Sequence, residues 1–109
     1  MRRYAAAKQK RIRTMVLVVV ELTAKAECVD ALRKLVVEAL PDTRAYDGCH
    51  GVTGFANDDG RTLALHEQWN SKAHHERYLA WRIETGALEE AVAVCEEPPN
   101  IRYFDPVDV

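Results

Sequence analysis

The chain has 109 residues, enough for one domain with one core and at most one small pocket. AVILMFWYC residues make up 48% and charged residues 29%, an ordinary balance for a globular protein; the longest apolar run, Met15 to Val20, is far short of the ~20 residues that cross a bilayer. The net charge of −2 hides an asymmetry. Arg2, Arg3, Lys8, Lys10, Arg11 and Arg13 make residues 1–14 strongly basic with no acid. Fifteen basic side chains less these six leaves nine against all seventeen acids, a balance of −8 for the remainder. An acidic body disfavours nucleic acid as a partner.

Residues 1–14 admit three readings: an arm for nucleic acid or membrane, a transit peptide, or a short disordered leader. Their lack of apolar periodicity favours the leader, with the single folded domain running over residues 15–109. Met15 to Thr23 is rich in β-branched residues and predicts a strand. Its two faces, Val16, Val18, Val20, Leu22 and Met15, Leu17, Val19, Glu21, are both apolar in the middle. A sheet with one face in water should alternate, so the second face is expected to meet another subunit or a ligand.

Glu27 to Leu40 carries apolar residues at helical spacing (Val29, Leu32, Leu35, Val36, Ala39). Pro41 is expected to interrupt or kink this helix, with Asp47-Gly48 as its latest stop. Val52 to Ala56 predicts a second strand, Asn57 to Gly60 a hairpin turn, and Thr62 to Trp69 the returning strand. That strand sets Leu63, Leu65, Glu67 and Trp69 on one face and Ala64, His66 and Gln68 on the other. Ser71 caps a helix running to about Trp81. Thr85-Gly86 breaks it, Ala87 to Cys95 resumes helical spacing, and Pro98-Pro99 precedes a last strand, Ile101 to Phe104. The order βαββαβ, with a tight central hairpin and helical crossovers, is that of an α+β ferredoxin-like fold with an antiparallel sheet.

Motifs for familiar chemistry are missing. Cys28, Cys49 and Cys95 form no C-x-x-C pair, which argues against a disulfide framework or zinc site and for a reducing cytoplasm. His50, His66, His74 and His75 form no H-x-x-x-H pair, and no glycine-rich phosphate loop is present. Neither a metal nor a nucleotide cofactor is expected. What remains is a cluster around residues 64–82. His75, Tyr78, Leu79 and Arg82 share one helix face, and Trp69 ends the adjoining strand. An apolar layer with an imidazole, a phenol and an indole suits a pocket for a planar ligand; the plainer reading makes them core aromatics. Glu67, on an apolar face, needs a partner, and Arg82 or Arg102 is the simplest. His66 and Gln68 line a pocket, a dimer interface, or solvent.

The runs Val18 to Lys25, Asp47-Gly-Cys-His-Gly-Val52 and Glu67-Gln-Trp-Asn-Ser71, with Tyr78-Leu-Ala-Trp-Arg82 and Pro98 to Tyr103, resemble the antibiotic biosynthesis monooxygenase family in order and spacing. The resemblance implies a homodimeric α+β barrel with two sheets face to face. For some members it implies cofactor-free oxidation of hydroxylated aromatics, quinols or anthrones, to quinones by dioxygen. The partners expected are therefore a small aromatic substrate, dioxygen and a second copy of the chain, with no nucleic acid or membrane. Trp69 matches the tryptophan of the family's Glu-x-Trp motif. Tyr78 stands where many members have a histidine, and His75 one turn earlier, so His75, Tyr78 and Trp69 are the expected catalytic residues. His66, Glu67, Leu79 and Arg82 are expected around the substrate. The alternative is a non-catalytic small-molecule binding protein on the same dimeric fold.

Overall fold

The protein is described by a computed structural model covering residues 15–109; the basic leader lies outside the described residues. The elements are β1 (Val16–Thr23), a 3-10 turn (Ala26–Cys28), α1 (Val29–Ala45), β2 (Cys49–Ala56), β3 (Thr62–Trp69), α2 (Lys72–Thr85), α3 (Ala87–Ala93) and β4 (Asn100–Phe104). The four strands form one antiparallel sheet in the order β2-β3-β1-β4. This is the ferredoxin-like arrangement, with the hairpin β2-β3 on one side and the last strand on the other.

Helix α1 runs unbroken through Pro41 to Ala45, the longer of the two courses the sequence allowed, and stops short of Asp47-Gly48. Proline removes one backbone donor, but Pro41 lies on the exposed side of the helix. The continuation buries Thr43 and delivers Tyr46 to an aromatic cluster. Strand β2 begins at Cys49, three residues early, because the ladder to β3 resumes across an irregularity between Cys49 and Gly51. Helix α2 starts at its expected cap and runs past Trp81 to the Thr85-Gly86 break. The Ser71 hydroxyl accepts from the His74 N–H, and Gly86, at φ +83°, closes the C-terminus.

The alternation in the strands separates two faces. Val16, Val18, Leu22, Val52, Leu65 and Trp69 are buried toward the helices. One core cluster gathers around Leu32 and Leu65, the other around Val18, Trp69 and Tyr78. Leu17, Phe55, His66, Gln68 and Phe104 lie on the opposite face, which carries no helix, and are partly or fully exposed. Val19 on that face is already shielded, between His66 and Arg102 in register. No helix among the described residues is long and apolar enough to cross a membrane.

Candidate active site

Between the two core clusters lies a cavity of about 270 Å³, bounded by the sheet on one side and all three helices on the other. Its walls are mostly aliphatic: Val20, Leu22 and Leu65 from the sheet, Val36 and Leu40 from α1, and Leu79 and Leu88 from α2 and α3. Glu67, His75, Tyr78, Arg82 and Thr43 interrupt them with polar atoms. An apolar chamber with a few converging polar groups is the usual form of a small-molecule site.

Glu67 enters this chamber because strand alternation gives it no other direction: Leu65 and Trp69 flank it on the inward face of β3. Only 4% of it is exposed. Neither arginine expected as its partner reaches it. Arg102 pairs with Glu21 on the open face at 2.7 Å, and Arg82 bonds elsewhere. Instead Trp69 Nε1 donates to Glu67 Oε1 at 2.9 Å, and His75 Nε2 stands 3.7 Å from the same oxygen. Burial without a cation pushes the carboxyl up to about 7, with the indole bond pulling weakly the other way. Burial likewise holds His75 down to about 4, so its imidazole is neutral near pH 7. Its second nitrogen, Nδ1, shares a hydrogen bond of 2.7 Å with the Tyr103 hydroxyl.

A second polar group sits one helical turn further along α2. Arg82 Nε donates to the Tyr78 hydroxyl at 2.9 Å, and Nη2 donates to the Ala39 carbonyl at 2.7 Å and to Thr43 Oγ1 at 3.2 Å. Thr43 passes its own proton to the Ala39 carbonyl at 3.1 Å. The Tyr78–Thr43 bond of 2.6 Å therefore has Tyr78 as donor. Arg82 touches only neutral partners in this set, and its side chain borders the cavity. The guanidinium also lies over the Trp81 ring, 4.6 Å from its centroid.

The helix face read from the sequence is thus the cavity wall: His75, Tyr78, Leu79 and Arg82 all border one chamber, with Glu67 facing them from β3. Two residues of the expected set lie elsewhere. Trp69 is fully buried and stands behind Glu67 rather than on the cavity surface, packed on His75 and Tyr78 at 5.3 and 5.1 Å between ring centroids. His66 is on the other side of the sheet, against the Phe55 ring at 5.0 Å. There it borders a separate depression with Leu17, Thr53, Phe55 and Gln68. Two participants escaped the sequence reading. Thr43 went unnoticed because the course of the helix beyond Pro41 was left open. Tyr103 was legible only as an inward position of β4, on the same face as Ile101.

A family model described as antibiotic biosynthesis monooxygenase matches residues 15–82. No curated protein matches in sequence. Among solved structures, Rv0793 of Mycobacterium tuberculosis superposes with a TM-score of 0.77 at 22% identity, covering 87% of this chain and 97% of that one. A conserved protein of Methanosarcina mazei gives 0.79 at 13% identity, covering 88% and 96%. A Streptomyces coelicolor monooxygenase in complex with nanaomycin D gives 0.71 at 19% identity, covering 94% and 96%. At these identities the likenesses speak for the fold, whereas the family match takes in more than half of the sequence, β1 through most of α2. The chain belongs to the antibiotic biosynthesis monooxygenase family.

Proposed function

We propose that the protein is a cofactor-independent monooxygenase that oxidises a small hydroxylated aromatic, of quinol or anthrone type, to a quinone with dioxygen. The observation that carries this reading is the cavity itself: an aliphatic slot of about 270 Å³ with a basic group at Glu67 and a cationic group at Arg82 on its walls. An electron-rich phenolate supplies the electrons that dioxygen accepts, so the protein has to take a proton, hold an oxyanion and keep water out. The aliphatic lining serves the last task. Arg82, with no carboxylate in its hydrogen-bond set, serves the second. The Tyr78 ring forms a wall for the substrate, and its hydroxyl fixes the guanidinium. His75 belongs to the proton-handling side, and Trp69 acts as a positioning residue through its bond to Glu67. The family and the nanaomycin D complex of a structural neighbour support an aromatic ligand of this kind.

A homodimer is part of the same proposal. The face of the sheet without helices exposes Phe55 and Phe104 by 52% and 44%, which a second copy would cover. The test of function is direct: incubate the protein with 1,8-dihydroxyanthrone or a naphthol under oxygen, with a chelator present, and follow quinone formation against the buffer blank. One oxygen atom of the product should derive from dioxygen. Tight binding without oxidation would instead identify a small-molecule binding protein, and neither binding nor oxidation would remove the cavity from consideration.

A further inference from the structure

We propose that Glu67 is the group that accepts the substrate proton in this cavity, and that His75 is a neutral positioning residue that adapts to both protonation states of the carboxyl. The proposal rests on the oxygenase reading of the site. Its geometric basis is the way Glu67 is held. Oε1 is committed to the Trp69 indole and faces His75, which leaves Oε2 for the chamber. Among the described residues no lysine or arginine bonds to the carboxyl. A structural carboxylate at 4% exposure would be expected to have such a partner; one that exchanges protons with a ligand works better without it.

His75 fits the supporting role better than that of primary base. The residue is 1% exposed and both ring nitrogens face protein groups, Tyr103 at 2.7 Å and Glu67 at 3.7 Å. The second separation is longer than a hydrogen bond. A neutral imidazole carries one proton that either nitrogen can hold. When Glu67 is charged, the Tyr103 hydroxyl donates to Nδ1 and Nε2–H points at the carboxylate. When the carboxyl carries its proton on Oε1, the oxygen that faces the ring, Nδ1–H donates to Tyr103 and the Nε2 lone pair faces that O–H. The pair Tyr103–His75 therefore follows the carboxyl through a cycle without placing a charge in the core.

The chemistry balances with dioxygen as the oxidant. Glu67 takes the phenolic proton, and the phenolate transfers one electron to dioxygen. The two radicals join through a new C–O bond at the ring carbon that becomes the carbonyl. Glu67 returns the proton to the distal peroxide oxygen. It then removes the hydrogen of that carbon while the O–O bond breaks, and the expelled hydroxide takes that proton to leave as water. One oxygen atom remains in the product, the other is in water, and the carboxylate is restored.

Other titratable groups face Glu67 from each neighbouring element: Cys49 of β2, Tyr103 of β4, and His75, Tyr78 and Arg82 of α2. Glu38 of α1 and Glu90 of α3 border the same chamber. The test must therefore assign the titration to Glu67 by substitution. Glu67→Gln keeps the size and the oxygen that accepts from Trp69, and Glu67→Asp keeps the acid; circular dichroism confirms folding. In the wild type, oxidation of 1,8-dihydroxyanthrone should rise with pH through a midpoint near 7. The midpoint should stay in place when a more acidic phenol is used. Glu67→Gln should lose about 10²-fold or more of the rate, the scale of a general base, while Glu67→Asp keeps part of it. His75→Phe should move the midpoint upward, because an apolar ring replaces the polar N–H that faces the carboxylate.

A readout independent of turnover is the Trp69 indole N–H resonance, assigned with Trp81→Phe. It should titrate with the same midpoint and stop doing so in Glu67→Gln. A Glu67→Gln variant as active as wild type, or an indole resonance flat between about pH 5 and 9, overturns the assignment while the oxygenase reading stands. A wild type inert toward every anthrone, naphthol and quinol tested overturns the oxygenase reading and the base role with it.

Discussion

At the scale of single residues, Glu67 and His75 make a pair whose titrations oppose each other. Glu67 moves up from 4.5 to about 7 and His75 down from 6.5 to about 4, both through burial. Between about pH 4.5 and 6.5 the unfolded chain carries its proton on the histidine and the folded chain carries it on the carboxyl. The two states then bind equal numbers of protons, and the pair contributes no slope to stability against pH. Single replacements should expose the two halves. His75→Phe leaves Glu67, whose stabilising contribution is full below about pH 4.5 and is lost as pH rises through 7. Glu67→Gln leaves His75, whose contribution is full above about pH 6.5 and is lost as pH falls through 4. Each change amounts to at most roughly 3 kcal/mol, at ~1.4 kcal/mol for every tenfold change in proton affinity. Urea unfolding of the two variants over this range should give slopes of opposite sign; slopes of the same sign would contradict the placement of the proton.

At the scale of elements, the junction between α1 and β2 shows how closely the site depends on its frame. Gly48 has φ +91°, and a Cβ built there would stand 2.5 to 2.7 Å from three atoms of the His74 side chain. One of those atoms is the His74 Cβ, which cannot move without shifting α2. Gly48 also accepts the Asn70 N–H at 2.8 Å, tying the start of β2 to the end of β3 just ahead of the helix. Gly48→Ala is therefore expected to destabilise the fold by roughly 1–3 kcal/mol, the cost of an unfavourable φ with added overlap, and to lower the thermal midpoint. Because α2 carries His75, Tyr78 and Arg82, ligand binding to whatever remains folded should weaken as well. A midpoint unchanged within a degree or so would mean that the junction is looser than its distances imply.

At the scale of the whole molecule, the two faces of the sheet divide the work. One face, under three helices, forms the cores and the cavity. The other presents Leu17, Phe55, Phe104 and the shallow depression bordered by His66 and Gln68. A stable dimer through this face should bury more than ~1,200 Å² in total. Sedimentation at micromolar concentration is expected to give a dimer. Phe55→Glu combined with Phe104→Glu should dissociate it while leaving the helical face intact, since both rings are exposed in the single chain. A wild-type chain that sediments as a monomer removes the dimer from the proposal.

Local rules in the sequence carried the architecture a long way. β-branched runs, the Asn57–Gly60 turn, the Ser71 cap and Gly86 each specify their element by short-range physics, and together they leave few topologies other than βαββαβ. The helix face of His75, Tyr78, Leu79 and Arg82 was legible for the same reason: helical spacing alone decides which side chains share a side. Tertiary structure decided what those side chains do. Whether Glu67 meets an arginine or an indole depends on how the sheet and α2 are juxtaposed, a long-range matter on which spacing is silent. Thr43 joined the site because aromatic and buried contacts beyond Pro41 outweighed the missing hydrogen bond, and Tyr103 because β4 lies beside β1 and opposite His75. The raised carboxyl and the lowered imidazole follow from burial, a property of the packed molecule that no single segment possesses.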